Sequence, residues 1–499
     1  MLCIGDTMSS ERLRRHLRQE SQQWLEEGLI DADFYLTLSD RYQFTTLEAA
    51  ASNRFISILL GVGGILLGLG AITFVAANWQ QWSREFRVFL LLSLLVAINA
   101  AGFYLWQWPA PQRGQHRLGH GLLLTGALIL GANLALMSQM FHQSGATYVL
   151  YLVWSFGVGI MAYSLRLTSL GVVAWILMFI GYWLWWFDGI GWSVPFTTTH
   201  SALQLLFSNM ALVVGVAFLP LAFWCRSRVI FALTCIAVVL FFVYGTFPFS
   251  LWNVPGAGGV VAISLTLPPA LLWAYHPSLC RLSRMNGHRV ADTSTSTRVE
   301  SFEPIARSLA IWFLSVLFYF LSFHWLWVSW GTPPTPEAWT WQPGADVDMV
   351  IGLLVAGWGW LRLIERSQRM RGQPQQWVNS VAIALFVSVT AALCYWHIRL
   401  HPLPILAPIV INLMLFQLAV SLLRDGLALG SRLPFWGGMS LLILGIISRI
   451  FEYNTDLLLK AGVLLGCGAS VIAAGLWFER RLLSHPRSES TPFLPEQLS

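Results

Sequence analysis

From Phe55 to Ala77 the chain reads FISILLGVGGILLGLGAITFVAA, without one charged side chain. At about 1.5 Å of rise per residue this run crosses a hydrocarbon core of about 30 Å. Every backbone N–H and C=O in such a core must be paired inside the chain, so a single run of this kind is an α-helix. Asn78 and Trp79 close it with an amide and an indole, groups suited to the polar layer where lipid meets water. No apolar leader-like run precedes Asn53, so this span is expected to direct insertion itself. Similar runs then recur with little pause, fourteen in all between residues 55 and 478, each bounded by Arg, Pro, Gly or Trp. The sixth, 203–224, starts among polar residues, and the tenth, 347–363, is the shortest. The fold class this predicts is all-α, a polytopic integral membrane protein of about 14 transmembrane helices. Only 11% of the residues are charged, against about 25% for soluble domains, so the lipid bilayer is the chain's main solvent.

The basic residues give an independent test of that span count. With fourteen spans and a cytoplasmic N-terminus, only Arg84, Arg87, Arg399, Arg449 and Lys460 fall on the outer side, and the rest of the 30 basic residues fall inside. This is the bias the positive-inside rule expects, and one span more or fewer would spoil it. Both termini are therefore predicted to be cytoplasmic. The net charge of +6 sits in short loops, where anionic lipid head groups are the natural partner and nucleic acid is not.

The same reading divides the chain into segments. Residues 1–54 form a cytoplasmic pair of amphipathic helices, in which Gly28 stops the first helix and Asp31 caps the second. Spans 1–8 occupy 55–276, a basic cytoplasmic linker 277–307, spans 9–14 residues 308–479, and a disordered cytoplasmic tail 480–499. The six cysteines form no C-x-x-C pair and none lies in an outer loop, so neither a disulfide nor a metal site is expected, and no cofactor. Glycines at 61, 64, 68 and 70 in the first span, and at 462, 466, 468 and 475 in the last, are expected to let neighbouring helices approach closely.

Candidate functional residues cluster on the predicted outer side. Gln139 and His142, in LMSQMFHQSG, are one helical turn apart and would share a face. In SRIFEYNTDLLLK, Arg449 ends the thirteenth span within reach of Glu452, and Asn454, Thr455 or Asp456 caps the fourteenth. An arginine near the bilayer must be paired or hydrated, which implies a buried ion pair or a wet cavity. Asn78, Trp79, Gln139, His142, Arg449 and Glu452 are therefore the expected ligand-binding set, with Arg84, Arg87, Asp456 and Lys460 in secondary positions. Spans 1, 3 and 13 would converge on it, and its cationic groups would receive a small anionic or zwitterionic ligand. His324 with Ser315, Tyr319, Ser322 and Ser329 in the ninth span, Asn412 and Gln417 in the twelfth, and Asn133 in the third read instead as interhelical packing.

Three stretches, WLEEGLI, LLGVGGILLGLGAITFVAANWQ and LGHGLLLTGALILGANLALMSQMFHQSG, resemble a bacterial family of predicted multi-pass membrane proteins, domain of unknown function 2157. The resemblance covers about residues 12–165, and more weakly 433–481. It implies a multi-pass protein of the bacterial inner membrane, whose recurrent polar features map to Ala76–Trp79, to Gln139 with His142, and to Arg449. It carries no chemistry. No P-loop, G-x-S-x-G or H-E-x-x-H is present and no catalytic residues are assigned, so the chain reads as more transporter-like than enzymatic. The alternatives are a non-transporting envelope-assembly or sensing factor that docks a cytoplasmic partner through residues 9–53, and a membrane-embedded enzyme acting on a lipid-linked substrate.

Overall fold

The computed structural model describes residues 17, 19–42, 77–107, 113–142, 145–188, 202–251, 257–275, 302–329, 347–369, 374–453 and 456–484. These form helices and connecting turns, with no strand among the described residues. Eleven helices among them are long and apolar enough to cross a membrane, and two shorter apolar helices accompany them. The chain is thus an all-α polytopic membrane protein. The expected first span, with its glycines at 61–70, lies outside the described residues, as do most of the linker and the tail.

Backbone contacts divide the chain into two compact units, Met1–Ala97 and Ile98–Ser499. In the first, residues 19–26 are helical and the turn closes at Gly28, whose φ of +69° is open to glycine at no steric cost. The Leu29 N–H reaches back to the Trp24 carbonyl at 2.8 Å, the reverse turn that ends a helix. Helix α1 (Ala32–Tyr42) starts right after Asp31, as the capping pattern predicts. Helix α2 (Arg84–Gln107) starts after Ser83, whose Oγ accepts from the Phe86 N–H at 3.3 Å.

The second unit continues α2 from Ile98 and adds fourteen helices: α3 (Arg113–Met140), α4 (Thr147–Leu165), α5 (Thr168–Phe187), α6 (Ala202–Ser208), α7 (Met210–Trp224), α8 (Arg228–Leu251), α9 (Ala257–Ala274), α10 (Glu303–Leu321), α11 (His324–Ser329), α12 (Val347–Arg369), α13 (Pro374–Arg399), α14 (Leu406–Leu429), α15 (Arg432–Glu452) and α16 (Leu457–Ser484). Three tight hairpins, α4–α5, α7–α8 and α14–α15, turn through one residue in left-handed conformation: Arg166 (φ +55°), Arg226 (φ +49°) and Gly430 (φ +60°). Arginine there sets a cation against the carbonyl end of the preceding helix. Arg166 also stacks on Trp224, 4.4 Å from its ring centre, tying the first hairpin to the second.

Helix α9 packs against α8, α10, α12 and α13, so helices on both sides of the expected linker share one core. Lipid tails are as apolar as leucine, so such helices are held by close packing and interhelical hydrogen bonds. Indoles supply several of these. Trp154 Nε1 donates to Ala127 O at 2.7 Å, Trp360 Nε1 to Ala270 O at 3.1 Å, and Trp273 Nε1 to Ser380 Oγ at 3.2 Å.

Two expected spans are not continuous helices. The sixth breaks at Asn209 between α6 and α7, where the Asn209 amide donates back to Leu205 O at 3.0 Å and its Oδ1 accepts from the Asp348 N–H at 3.1 Å. The ninth breaks at Ser322 and Phe323 between α10 and α11. Of the four glycines expected to let a neighbour approach the last span, Gly475 does so, with a Cβ there 3.1 Å from Trp436 Cη2 of α15, and the other three do not. A Cβ at Gly462, Gly466 or Gly468 would meet nothing within 4 Å, because those positions face open surface. Tighter approaches occur in the α14–α15 hairpin, where a Cβ on Gly438 would lie 2.6 Å from Ala419 O, and one on Gly426 2.6 Å from Phe435 N.

Candidate functional site

Breaking a helix leaves carbonyls without donors at one end and N–H groups without acceptors at the other. At the α10/α11 break these orphans are met by side chains. The Ser322 hydroxyl donates to Tyr319 O at 2.6 Å, the back-bonding by which serine competes with the helical ladder. Trp327, fully buried in α11, folds back so that its Nε1 donates to Leu321 O at 2.6 Å. The Ser322 carbonyl accepts from Asn412 Nδ2 of α14 at 3.1 Å and from Arg449 Nη1 of α15. Arg449 Nη2 approaches Ser322 Oγ at 3.3 Å, and the guanidinium covers the Phe323 ring, 4.4 Å from its centre.

Glu452, one turn further along α15, serves the other side of the break. Its Oε1 accepts from the His324 N–H at 2.6 Å and lies 3.4 Å from that of Trp325. Its other oxygen pairs with Arg449, and both side chains are largely buried, at 18% and 10% exposure. One α15 face thus offers a cation to the carbonyl end of α10 and an anion to the N–H end of α11, the polarity that each helix end favours. The ion pair expected from sequence is present, and it brackets the gap in a helix 127 residues away.

Histidines complete the surroundings. His324 Nδ1 lies 2.8 Å from Pro404 O; a carbonyl can only accept, so this nitrogen carries the proton. His397, at the end of α13 and 3% exposed, accepts from the Leu403 N–H at Nδ1 (2.8 Å) and stands edge-on to Trp327, with ring centres 5.0 Å apart. Asn412 makes the interhelical hydrogen bond expected of it, to the carbonyl that Arg449 also serves, His324 joins through its N–H to Glu452, and His397 was not singled out at all. Serines and aromatic residues recur throughout that span, so S-F-H-W at 322–325 does not by itself mark the break.

Gln139 and His142 lie at the end of α3 in the second unit. Helix α3 ends at Met140, and His142 takes the left-handed conformation (φ +51°) beyond it, so Gln139 and His142 no longer share a helical face; both are exposed. Helix α3 packs on α4 and α5, whereas α15 packs on α14, α16 and α10. In the first unit Asn78 is the last helical residue before a turn, with its carbonyl accepting from the Gln81 N–H at 3.0 Å. Arg87 organises the following loop, donating to Trp82 O at 3.1 Å and Gln80 O at 3.2 Å, with its guanidinium 5.3 Å from the Trp79 ring centre. Arg84 opens α2. Asp456 precedes α16 and its carbonyl takes the Lys460 N–H at 3.0 Å, while the Lys460 ammonium lies 5.8 Å from the Phe451 ring centre.

A multi-span helical bundle with an ion pair braced across a helix break defines the class as a polytopic membrane protein with a polar site built on an interrupted helix. Residues 22–171 match the model of a family described as predicted membrane protein (DUF2157). That match takes in Asn78, Trp79, Gln139 and His142, while Arg449 and Glu452 lie beyond it. Comparison with curated proteins and with solved structures gave no match.

Proposed function

We propose that this chain is a transporter-like protein of the bacterial inner membrane, and that the α10/α11 break is its outward-facing site for a small anionic or zwitterionic ligand. The observation that carries the reading is the double role of Glu452, which neutralises Arg449 and caps α11 with one carboxylate. A ligand carboxylate or phosphate has the same chemistry and competes for the same donors. In a zwitterion, the ammonium then has the Ser322 carbonyl and the freed Glu452 to bind. Displacing Glu452 releases α11, so occupancy and movement are one event, in keeping with transporters whose sites lie at interrupted helices.

The test is a thermal-shift screen of the purified protein against amino acids, dicarboxylates and inorganic phosphate, followed by tracer uptake of any stabilising compound into proteoliposomes. A compound that stabilises the native chain, loses its effect in Arg449→Lys and is taken up supports the reading. Lysine keeps the charge but lacks the planar fork that reaches two partners at once. A screen in which no compound acts through Arg449 sinks it.

The non-transporting alternative draws on the exposure of Leu29, Phe34 and Leu36 in the first unit, an apolar surface suited to a partner. Deleting residues 9–53 discriminates. Intact uptake with lost co-purification of a partner favours that alternative, and the reverse favours transport.

A further inference from the structure

Away from the α10/α11 break, helices α7, α8, α9 and α12 enclose a cavity of about 300 Å³, partly open on one side. That is the lower edge of the range for small-molecule sites, about 300–1,000 Å³. Its walls are almost wholly apolar. Thr234 on α8 gives its hydroxyl to Ile230 O at 2.7 Å, so that group is already spent on its own helix. Pro268 and Pro269 inside α9 remove two helical N–H donors, and Pro268 lines the space.

Water does not suit this cavity, since an ordered water needs two to four polar partners. The mouth says what does. Val216 on α7 and Ile351 and Val355 on α12 line the cavity and are themselves exposed on the apolar flank of the bundle. The opening therefore faces sideways, where a bilayer supplies hydrocarbon. Lining positions on α8 run from Phe231 to Phe242, about 16 Å at about 1.5 Å per residue. This is the depth of one leaflet of a hydrocarbon core of about 30 Å. Asp348, in the first turn of α12, is a lining residue, and a carboxyl can accept from a head group.

The geometry points to a lipid site: one acyl chain enters between α7 and α12, and its head group donates hydrogen bonds to Asp348. The occupant is a membrane lipid of the phosphatidylethanolamine kind, whose ammonium carries N–H donors that a choline head lacks.

Gly215 provides a clean block. A Cβ there meets only Val238 Cγ2, at 3.8 Å, so a side chain can start from this lining position, and Gly215→Phe is expected to occupy the cavity. Gly466→Phe on the exposed face of α16, where a Cβ meets nothing within 4 Å, is the control. The full chain is reconstituted in vesicles containing a diazirine-tailed phosphatidylethanolamine, or its choline counterpart, and labelled peptides are mapped by mass spectrometry. Expected are labels concentrated on the cavity walls of α7, α8 and α12, at least fivefold reduced in Gly215→Phe and unchanged in Gly466→Phe. The ethanolamine probe labels the walls more strongly than the choline probe, and Asp348→Asn removes that difference. Labels spread evenly over lipid-facing helices, or equal wall labelling in Gly215→Phe, overturn the acyl-chain site. Equal labelling by both probes overturns the head-group contact. Should Gly215→Phe fail to yield monodisperse protein, Val238→Trp is the second block, with lipid retained through purification read by native mass spectrometry: native-like retention overturns the site.

Discussion

Glu452→Ala removes the partner of a largely buried guanidinium and uncaps α11 in one step. The side chains of Arg449 and Glu452 are 18% and 10% exposed, so solvent screens their attraction little. Removing one member of a buried pair typically costs about 3–5 kcal/mol, because the other charge is left without compensation. The lost acceptor at the His324 N–H adds about 1–3 kcal/mol for an unsatisfied buried donor. Glu452→Gln keeps an oxygen for that donor and loses only the charge, so it is the milder change. In Arg449→Ala/Glu452→Ala no charge is stranded, and the double variant falls short of the summed single effects by about 2 kcal/mol or more. The assay is reversible unfolding in detergent at fixed protein and detergent concentration, followed by the population remaining helical and monodisperse. Additive single effects, or a Glu452→Gln change as severe as Glu452→Ala, would refute the idea that one carboxylate both neutralises Arg449 and caps α11.

Gly438→Ala, which forces a Cβ to 2.6 Å from Ala419 O, should destabilise the α14–α15 hairpin by about 1–3 kcal/mol, as overpacking does, whereas Gly466→Ala should be neutral or stabilising by up to about 1 kcal/mol; thermal unfolding of both variants checks this. Asn412→Leu removes a donor that serves Ser322 O at 3.1 Å and Pro408 O at 2.7 Å, and should lower stability by about 1–3 kcal/mol with the secondary structure by circular dichroism unchanged. Burial pushes the Cys225 thiol above its ordinary value, against the opposing pull of Arg166, so its thiolate forms only at higher pH; alkylation of a variant retaining Cys225 alone should accelerate at a more alkaline pH than a free thiol does. An impermeant maleimide should reach the same cysteine from the cytoplasmic side alone, and labelling from outside would break the proposed topology.

The capping turn at Gly28, the start of α1 after Asp31 and the stop of α15 before α16 are short-range events, and the residues that cause them are within one turn of their effect. The Arg449–Glu452 pair was legible for the same reason, since a spacing of three brings two side chains together on any helix. Its environment was not. Ser322, His324 and Asn412 carry the same polar groups as dozens of packing residues in membrane helices, and nothing within their own segments tells them apart. The glycines misled in the opposite direction. A row of them at 462, 466 and 468 permits a close neighbour without supplying one, while Gly438 is required because Ala419 of α14 lies against it.

By itself the sequence determined that this chain is a bundle of membrane-spanning helices, because hydrocarbon forces each apolar run to satisfy its own backbone and local composition suffices to show where those runs are. Tertiary structure alone decided which helix breaks, which glycines are crowded, and what Arg449 touches. Each of those depends on a partner brought close by folding, as Ser322 is to Arg449 across 127 residues of chain.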